Sequence, residues 1–319
     1  MARTDNHTWT STKDVAATAL GVAAVRAAET RNEDPLIRDP LAKLFVEAAG
    51  QNVWSMVTSG AAYDELRSAD PELAASMQAS LDHIATRTKF FDEFVLAAAD
   101  AGIRQVVILA AGLDTRAWRL PWPDAITVYE LDQPEVLEFK LATLREGEAL
   151  PAATHVEVPV DLRDDWPQAL LRAGFDVTAP AAWLVEGLLP FLSVASQDLL
   201  FERVHELSAP NSRVAAEALD GEFLKPGSVA RHRARLQRMR TAAATLAELS
   251  DVTELWDLSE DRADVADWLR ERGWHGSVLT AAQLLARHDR SAPAGLADAT
   301  PPSLLVTARL DTGDDRQSG

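Results

Sequence analysis

The sequence predicts an α/β fold built on a largely parallel, doubly wound sheet. Short apolar runs, typical of buried strands, recur from residue 105 onward, and helical stretches separate most of them. Alternating strands and helices place helices on both faces of a parallel sheet. With 319 residues, the chain is long enough for one large domain with a cap.

The predicted elements follow a regular order along the chain. We expect strands at 105–110, 126–131, 154–160, 181–187, 213–219, 275–280 and 303–310. Helices between them are expected at 133–146, 165–174, 196–208, 262–272 and 281–288. Before the first strand, helical patterns occupy 15–30, 41–49 and 71–101, the last ending near Gly102, because glycine is common just past a helix end.

The alternation breaks once, in the segment 221–261, which is amphipathic and helical in pattern. We expect this segment to form a cap or lid over the carboxyl edge of the sheet, where ligands bind in such folds. Residues 1–14 are expected to be a flexible leader and residues 311–319 a disordered tail. A single domain with its cap insertion would then span 15–310.

Composition excludes several classes of function. The net charge of −18 disfavours nucleic acid and anionic membranes as partners, since both require a basic surface. The absence of cysteine excludes disulfides, a thiol nucleophile and a cysteine-ligated metal. The histidines show no metal-ligand spacing and no G-x-S-x-G motif is present, so neither a metal nor a hydrolase triad is predicted. No apolar run approaches the roughly 20 residues of a membrane helix, and the polar N-terminus lacks a signal-peptide core, so we expect a cytoplasmic protein.

A glycine turn followed by an acidic residue carries the main functional signal. Gly112 ends one apolar run, and Asp132 ends the next one, 20 positions later. This is the arrangement that binds ribose in nucleotide-binding βαβ units. A carboxylate accepts hydrogen bonds from both ribose hydroxyls, so Asp132 is the leading candidate for cofactor binding.

The same loop is poor in glycine. A dinucleotide site requires G-x-G-x-x-G so that the backbone can approach a pyrophosphate, but Ala-Ala-Gly-Leu-Asp-Thr-Arg contains Gly112 alone. The loop therefore favours a nucleoside without phosphates, such as S-adenosylmethionine, as the cofactor. A glycine here also allows close backbone approach to a ligand, which a Cβ would prevent.

Five sequence blocks, taken together, resemble a known family. They are ATRTKFFDEFV (85–95), VVILAAGLDTRAWRL (106–120), VYELDQPEVLEFK (128–140), VPVDLRDDW (158–166) and WLVEGLLPFL (183–192). The chain resembles the leucine carboxyl methyltransferase family, and more closely its actinobacterial branch of proteins named as S-adenosylmethionine-dependent methyltransferases. The resemblance extends from about residue 15 to 310. It implies a seven-stranded, Rossmann-like methyltransferase sheet whose last strand is antiparallel, with N-terminal helices and a variable cap.

The resemblance also implies roles for particular residues. It makes Arg87 a cofactor contact, since an arginine can hold the carboxylate of the cofactor with two hydrogen bonds. Asp161 and Leu162 stand where this fold class contacts the adenine. Glu186 ends the fourth apolar run, where a carboxylate is costly unless it is paired, and it could bind the amino group of the cofactor. Where the family usually has a tyrosine shortly after this acid, the chain has Pro190 and Phe191.

Each of these positions also has a structural interpretation. Asp132 could cap the following helix, Arg87 could be a solvated helix arginine with Lys89 as its competitor, and Asp161 could belong to a polar loop. Glu186 could be an ion-paired structural acid. Glu130 could be a second acid of the site or a polar strand end, while Asp114 and Arg116 are expected to pair with neighbours.

One further cluster is basic. Arg231, Arg235 and Arg238 share one face of the predicted cap helix, with Arg233 and Arg240 nearby. The cluster could be a solvated face, or it could recruit an anionic substrate such as a carboxylate.

These observations predict an S-adenosylmethionine-dependent methyltransferase acting on a small-molecule acceptor, through O-methylation of a carboxylate or hydroxyl. No catalytic residue is identified. A carboxylate acceptor is already ionised at neutral pH and needs no general base. Two alternatives remain open at this point: a nicotinamide-dependent reductase on a Rossmann-like sheet, and a non-catalytic binding protein.

Overall fold

The computed structural model describes residues 11–50, 52–259, 262–290 and 303–311. Side chains are described from Thr18 onward, except at positions 222, 224 and 226. The sequence predictions for residues 1–10, for the linker 291–302 and for residues 312–319 fall outside this range. The remainder of the chain forms a sheet enclosed by helices.

Seven strands form one sheet in the order β3-β2-β1-β4-β5-β7-β6. All neighbouring pairs are parallel except those of β7, which is antiparallel to both β5 and β6. The strands are β1 (Gln105–Leu109), β2 (Thr127–Asp132), β3 (Thr154–Pro159), β4 (Ala181–Val185), β5 (Arg213–Leu219), β6 (Trp274–Thr280) and β7 (Ser303–Leu310). The predicted fold class, including the antiparallel last strand, is confirmed.

Helices precede the sheet and cover both of its faces. The N-terminal helices are α1 (Ser11–Thr30), α2 (Ala42–Ala48), α3 (Val53–Ser59), α4 (Ala61–Ala69) and α5 (Pro71–Asp100). The helices between strands are α6 (Arg116–Arg119), α7 (Pro134–Glu146), α8 (Trp166–Arg172), α9 (Val194–Glu206), α10 (Gly221–Leu224), α11 (Pro226–Ala242), α12 (Val265–Glu271) and α13 (Ala281–Arg287). Short 3-10 turns lie at Leu189–Phe191, Ala244–Leu246 and Val252–Glu254.

The strand order reverses between β1 and β4, which are neighbours in space but not in sequence. In doubly wound sheets the crevice at such a reversal, outside the carboxyl ends of the strands, is where ligands bind. Both strands are buried along their whole length, because helices cover both faces. The loops after these two strands are therefore held on a rigid support.

Among the described residues, three apolar clusters stabilise the fold. Two of them lie against the sheet, around Trp183 and around Phe91 respectively. The third joins the N-terminal helices to the insertion after β5, since Val57 and Met77 pack in the same cluster as Met239 and Leu246. The insertion is thus fastened to the N-terminal helices by apolar packing.

Element boundaries differ from the predictions in small ways. The first helix begins at Ser11, so the last residues of the predicted leader are helical. The described part of the insertion, residues 221–259, contains two α-helices and two 3-10 turns, so it is helical as predicted but interrupted. Within the part of the chain described, no helix is both long and apolar enough to cross a membrane.

Candidate functional site

A cavity of about 770 Å³ opens at the carboxyl edge of the sheet. This volume is in the usual range for small-molecule and cofactor sites. The loops after β1 and β4 and the ends of β2 and β5 form its floor, and α1 and α5 form one side. Residues of the insertion, from His232 to Trp256, form a further side. The cavity therefore joins the strand-order reversal to the predicted cap.

Gly112 lies on the floor of this cavity, in a loop with unusual backbone angles. Its φ is 50°, in the left-handed region that favours glycine, and a Cβ there would lie 3.3 Å from the Cβ of Ala19. Ala110, two residues earlier, also has a positive φ, of 54°. A non-glycine residue in this region stores backbone strain, which is frequent at ligand-binding loops.

Asp132 lies beside this loop and is buried. Its Oδ2 accepts a hydrogen bond of 2.6 Å from the Gly112 amide, and its Oδ1 accepts one of 2.7 Å from the Gln133 amide. A carboxylate has about four acceptor positions, so two remain for a ligand diol. Burial raises the pKa of Asp132, although the two amide hydrogen bonds oppose this effect. The N-cap of α7 is Gln133 rather than Asp132, because Pro134 is the first helical residue.

Arg87 and Glu186 meet across the cavity floor. Arg87, on α5, donates from Nε to Glu186 at 2.9 Å and from Nη1 to Glu217 at 2.9 Å. Nη2 is then the guanidinium nitrogen left to contact a ligand carboxylate. Arg116 holds the second oxygen of Glu186 at 2.8 Å. Glu186 is therefore both an ion-paired acid and a lining residue of the cavity.

Glu217, near the end of β5, was not predicted from the sequence. It lines the cavity and accepts hydrogen bonds from Arg87, from the Gly187 amide at 3.1 Å and from Ser303 at 3.1 Å. His83 lies 3.4 Å away. Burial alone would raise the pKa of Glu217, but the charge of Arg87 and the bonds from His83 and Ser303 lower it to about 2. The sequence did contain a signal for Glu217. It is a carboxylate within an apolar strand, which is costly to bury unless it is paired, and the same argument identified Glu186.

The ion pairs continue behind the cavity floor. Asp92 accepts from Arg116 at 2.7 Å and from both terminal nitrogens of Arg119 at 2.7 Å. Arg116 also pairs with Asp114, and Asp39 pairs with Arg26 at 2.8 Å. Burial of these groups is tolerated because each charge has an opposite partner and hydrogen bonds. The network fixes the position of the loop after β1.

Among the acids and apolar residues singled out from the sequence, Asp161, Leu162 and Glu130 are absent from the lining of the cavity. Asp161 pairs with its neighbour Arg163 at 2.6 Å on the surface. The amide of Val160 donates a hydrogen bond to the carbonyl of Asp132, the last residue of β2. Asp161 is the next residue along the chain, so its backbone lies near the end of β2. Glu130 is fully buried and holds Lys140 at 2.5 Å.

Lys89 was the alternative to Arg87 for the predicted cofactor contact. It pairs with Glu93 at 3.4 Å and does not line the cavity. The choice of Arg87 as the residue nearer the candidate site therefore agrees with the geometry. Metal ligation is not indicated in the described residues, where no group of three or more His, Cys, Asp or Glu is placed to hold an ion.

The basic cluster of the insertion divides in two. Arg235 lines the cavity, as does His232 on the same helix. Arg238 instead pairs with Asp70 at 3.3 Å, and Arg231 is exposed beside Ser228. Burial lowers the pKa of His232, with Asp251 opposing and Arg235 and Arg233 adding to this effect.

The residues at the cavity floor fit S-adenosylmethionine. Asp132 offers spare acceptor positions for a ribose diol. Gly112 lines the cavity in a left-handed conformation, which a residue with a Cβ would adopt only with strain. Arg87 and Glu186 present opposite charges that match the carboxylate and the amino group of an amino acid.

Comparison with known proteins agrees with this fit. The leucine carboxyl methyltransferase family model matches residues 19–205. A Mycobacterium marinum protein named as an S-adenosyl-L-methionine-dependent methyltransferase is 73% identical over 310 residues, covering 97% of this chain and 98% of its own length. A protein of the same name from Mycolicibacterium paratuberculosis is 56% identical over 98% of this chain and 100% of its own length.

The site and the fold define a class of enzyme, a methyltransferase that depends on S-adenosylmethionine. Within that class, the chain belongs to the leucine carboxyl methyltransferase family. Both alternatives left open by the sequence, a nicotinamide-dependent reductase and a non-catalytic binding protein, are therefore set aside.

Proposed function

We propose that the protein transfers a methyl group to an oxygen of a small molecule. The preferred acceptor is a carboxylate, and a hydroxyl is the alternative. The observation that carries this proposal is that Gly112, Asp132 and Glu186 line the same cavity as the insertion. A partly enclosed cavity of about 770 Å³ suits a small acceptor better than a folded macromolecule.

Each floor residue has a proposed role in holding the cofactor. Asp132 binds the ribose hydroxyls, and the Gly112 loop passes close to the methionine part. Arg87 and Glu186 bind the carboxylate and the amino group, each held in place by its ion pairs. Asp161 and Leu162 remain proposed adenine contacts, supported by their place after β3 and not by the lining of the cavity.

When bound, S-adenosylmethionine supplies an electrophilic methyl group on sulfur. The protein's own contribution is to orient the acceptor oxygen and to exclude water. A carboxylate acceptor is ionised at neutral pH, so no proton has to be removed. Arg235, half-buried on the insertion side, is the residue proposed to hold an anionic acceptor.

The hydroxyl alternative has its own support in His232. Burial and nearby arginines lower the pKa of this residue, so its imidazole is neutral at pH 7 and able to accept a proton. A hydroxyl acceptor needs such a base, whereas a carboxylate does not.

The test is a screen of small carboxylic acids and phenols with S-adenosylmethionine labelled in its methyl group. Methyl esters are distinguished from ethers because mild base hydrolyses only the ester. We expect esters, and we expect Arg235→Gln to raise the acceptor KM about tenfold, the scale of one charge-assisted hydrogen bond, without changing affinity for S-adenosylhomocysteine.

Arg231→Gln is the matched control, since Arg231 lies on the same helix, is exposed and does not line the cavity. Equal effects of the two substitutions would remove Arg235 from the acceptor site. Ether products, together with a loss of kcat of about 100-fold or more in His232→Gln, would establish the hydroxyl alternative instead.

A further inference from the structure

The insertion side of the cavity differs chemically from its floor. On the insertion side, the apolar lining residues are Leu236, Met239 and Leu249. They share the cavity with three apolar side chains of the N-terminal helices, Trp54, Val57 and Met77. We call the space between these six side chains the acceptor chamber.

These apolar side chains come from two parts of the chain that pack together. Met239 belongs to the same apolar cluster as Val57 and Met77, and Trp54 and Leu249 pack against it. Val57, Met77 and Met239 are buried and the other three side chains are half-buried, so core residues form part of the chamber wall. Apolar surface that lines a cavity gains free energy when an apolar group covers it.

Trp54 forms a flat wall of the chamber because a glycine faces it. A Cβ on Gly21 would lie 2.8 Å from Cη2 of Trp54 and 3.0 Å from its Cζ2, so any side chain there would displace the indole. Both residues line the cavity. The Gly21–Trp54 contact therefore sets the width of the chamber on this side.

We propose that the acceptor is a lipophilic acid, with a single carboxylate held by Arg235 and an apolar body that fills the acceptor chamber. This inference rests on the proposed function for the methyl transfer itself. A peptide C-terminus fits less well, because its backbone amides would lack partners against Trp54, Met239 and Leu249. A dicarboxylic acid would place its second carboxylate against the six apolar side chains of the chamber.

The first experiment is a series of straight-chain monocarboxylic acids of increasing length. Binding is measured by calorimetry with S-adenosylhomocysteine present, and kcat/KM is measured in the methyl-transfer assay. Each added methylene should improve both by about 3- to 4-fold until the chamber is full. Dicarboxylic acids of equal length and a peptide ending in leucine should bind at least tenfold more weakly. No dependence on length, or preference for either control compound, would overturn the inference.

Substitutions then place the apolar body in the chamber. Leu236→Trp should shorten the best-bound acid by several methylenes without changing affinity for S-adenosylhomocysteine. Gln237→Trp is the control, because Gln237 is exposed on the same helix and does not line the cavity. Gly21→Ala offers a second, smaller change and should also alter the length preference through Trp54. Identical length profiles in wild type, Leu236→Trp and Gly21→Ala would contradict the proposal.

Failure of the proposed function gives a different result. Acids that bind according to chain length but are not methylated would disprove the methyl transfer to carboxylates and leave the chamber assignment intact. Acids that are methylated without any length preference would disprove the chamber assignment alone.

Discussion

The floor of the cavity and its insertion side differ in what holds them in place. On the floor, Arg116 and Glu217 are buried, Arg87 and Glu186 are partly buried, and the four are joined by ion pairs of 2.8–2.9 Å. The insertion side is held by apolar packing and by a few polar contacts, such as Glu65, which accepts hydrogen bonds from Ala244 and Thr245. Directional bonds fix geometry, while apolar packing tolerates changes of shape. The floor is therefore suited to one invariant cofactor, and the insertion side to an acceptor that defines specificity.

The largest expected effect comes from breaking the ion pairs of the floor. Arg116→Met should lower the free energy of unfolding by about 3–5 kcal/mol, because it leaves buried carboxylates without a partner. Arg163→Met is the control, since Arg163 pairs with Asp161 at the surface and should contribute no more than about 1 kcal/mol. Urea denaturation measures both values. A loss for Arg116→Met no greater than for the control would show that the floor is not held by its charges.

The floor should also make stability depend on pH in the acid range. The pKa of Glu217 is lowered from 4.5 to about 2, so its ionised form is favoured by folding. Its contribution, on the order of 3 kcal/mol, is fully present above pH 4.5 and is lost as pH falls towards 2. Thermal unfolding of wild type and Glu217→Gln across this range should converge at the acid end. Parallel curves would place the acid sensitivity elsewhere.

A smaller effect is expected when one cofactor residue is removed without breaking an ion pair. Asp132→Ala should weaken binding of S-adenosylmethionine by about 1.5–3 kcal/mol, the cost of losing a charge-assisted hydrogen bond at a partly buried site. The protein should remain folded, because Asp132 is the last residue of β2. Asp161→Ala, at a residue outside the lining of the cavity, should have a smaller effect. Calorimetry tests both, and an unchanged dissociation constant in folded Asp132→Ala would exclude this residue from the site.

The smallest effect concerns the insertion, whose role as a lid remains a prediction. Hydrogen exchange of amides in Pro226–Ala242 and Val252–Glu254 should slow when S-adenosylhomocysteine and an acceptor are both bound. Glu65→Gln should speed exchange at Ala244 and Thr245, because their amides lose a charged acceptor. Glu72→Gln, an exposed substitution at the start of the neighbouring helix α5, serves as the control. Exchange that is indifferent to both ligands would leave the insertion as a fixed wall.

The sequence alone determined the order of the elements and the turn between β1 and β2. Helical and strand periodicities are local properties, so apolar runs and glycine positions predicted the strands, the helices, and the places of Gly112 and Asp132 at the ends of β1 and β2. The spacing between Gly112 and Asp132 predicts a shared site because both residues lie at the carboxyl ends of adjacent parallel strands. The insertion was likewise visible as a break in the alternation, although its interruption by 3-10 turns was not.

Only the tertiary structure decided which charges meet. Arg87 is separated by 99 residues from Glu186 and by 130 from Glu217, and no local pattern indicates which carboxylates a distant helix will contact. The acceptor chamber also depends on contacts between distant segments. Trp54 and Met239 share a cavity because the insertion packs against the N-terminal helices. Strand order brought Asp132 to the cavity and left Asp161 outside its lining. Local propensity acts over a few residues, whereas a binding site is assembled by contacts between segments far apart in sequence.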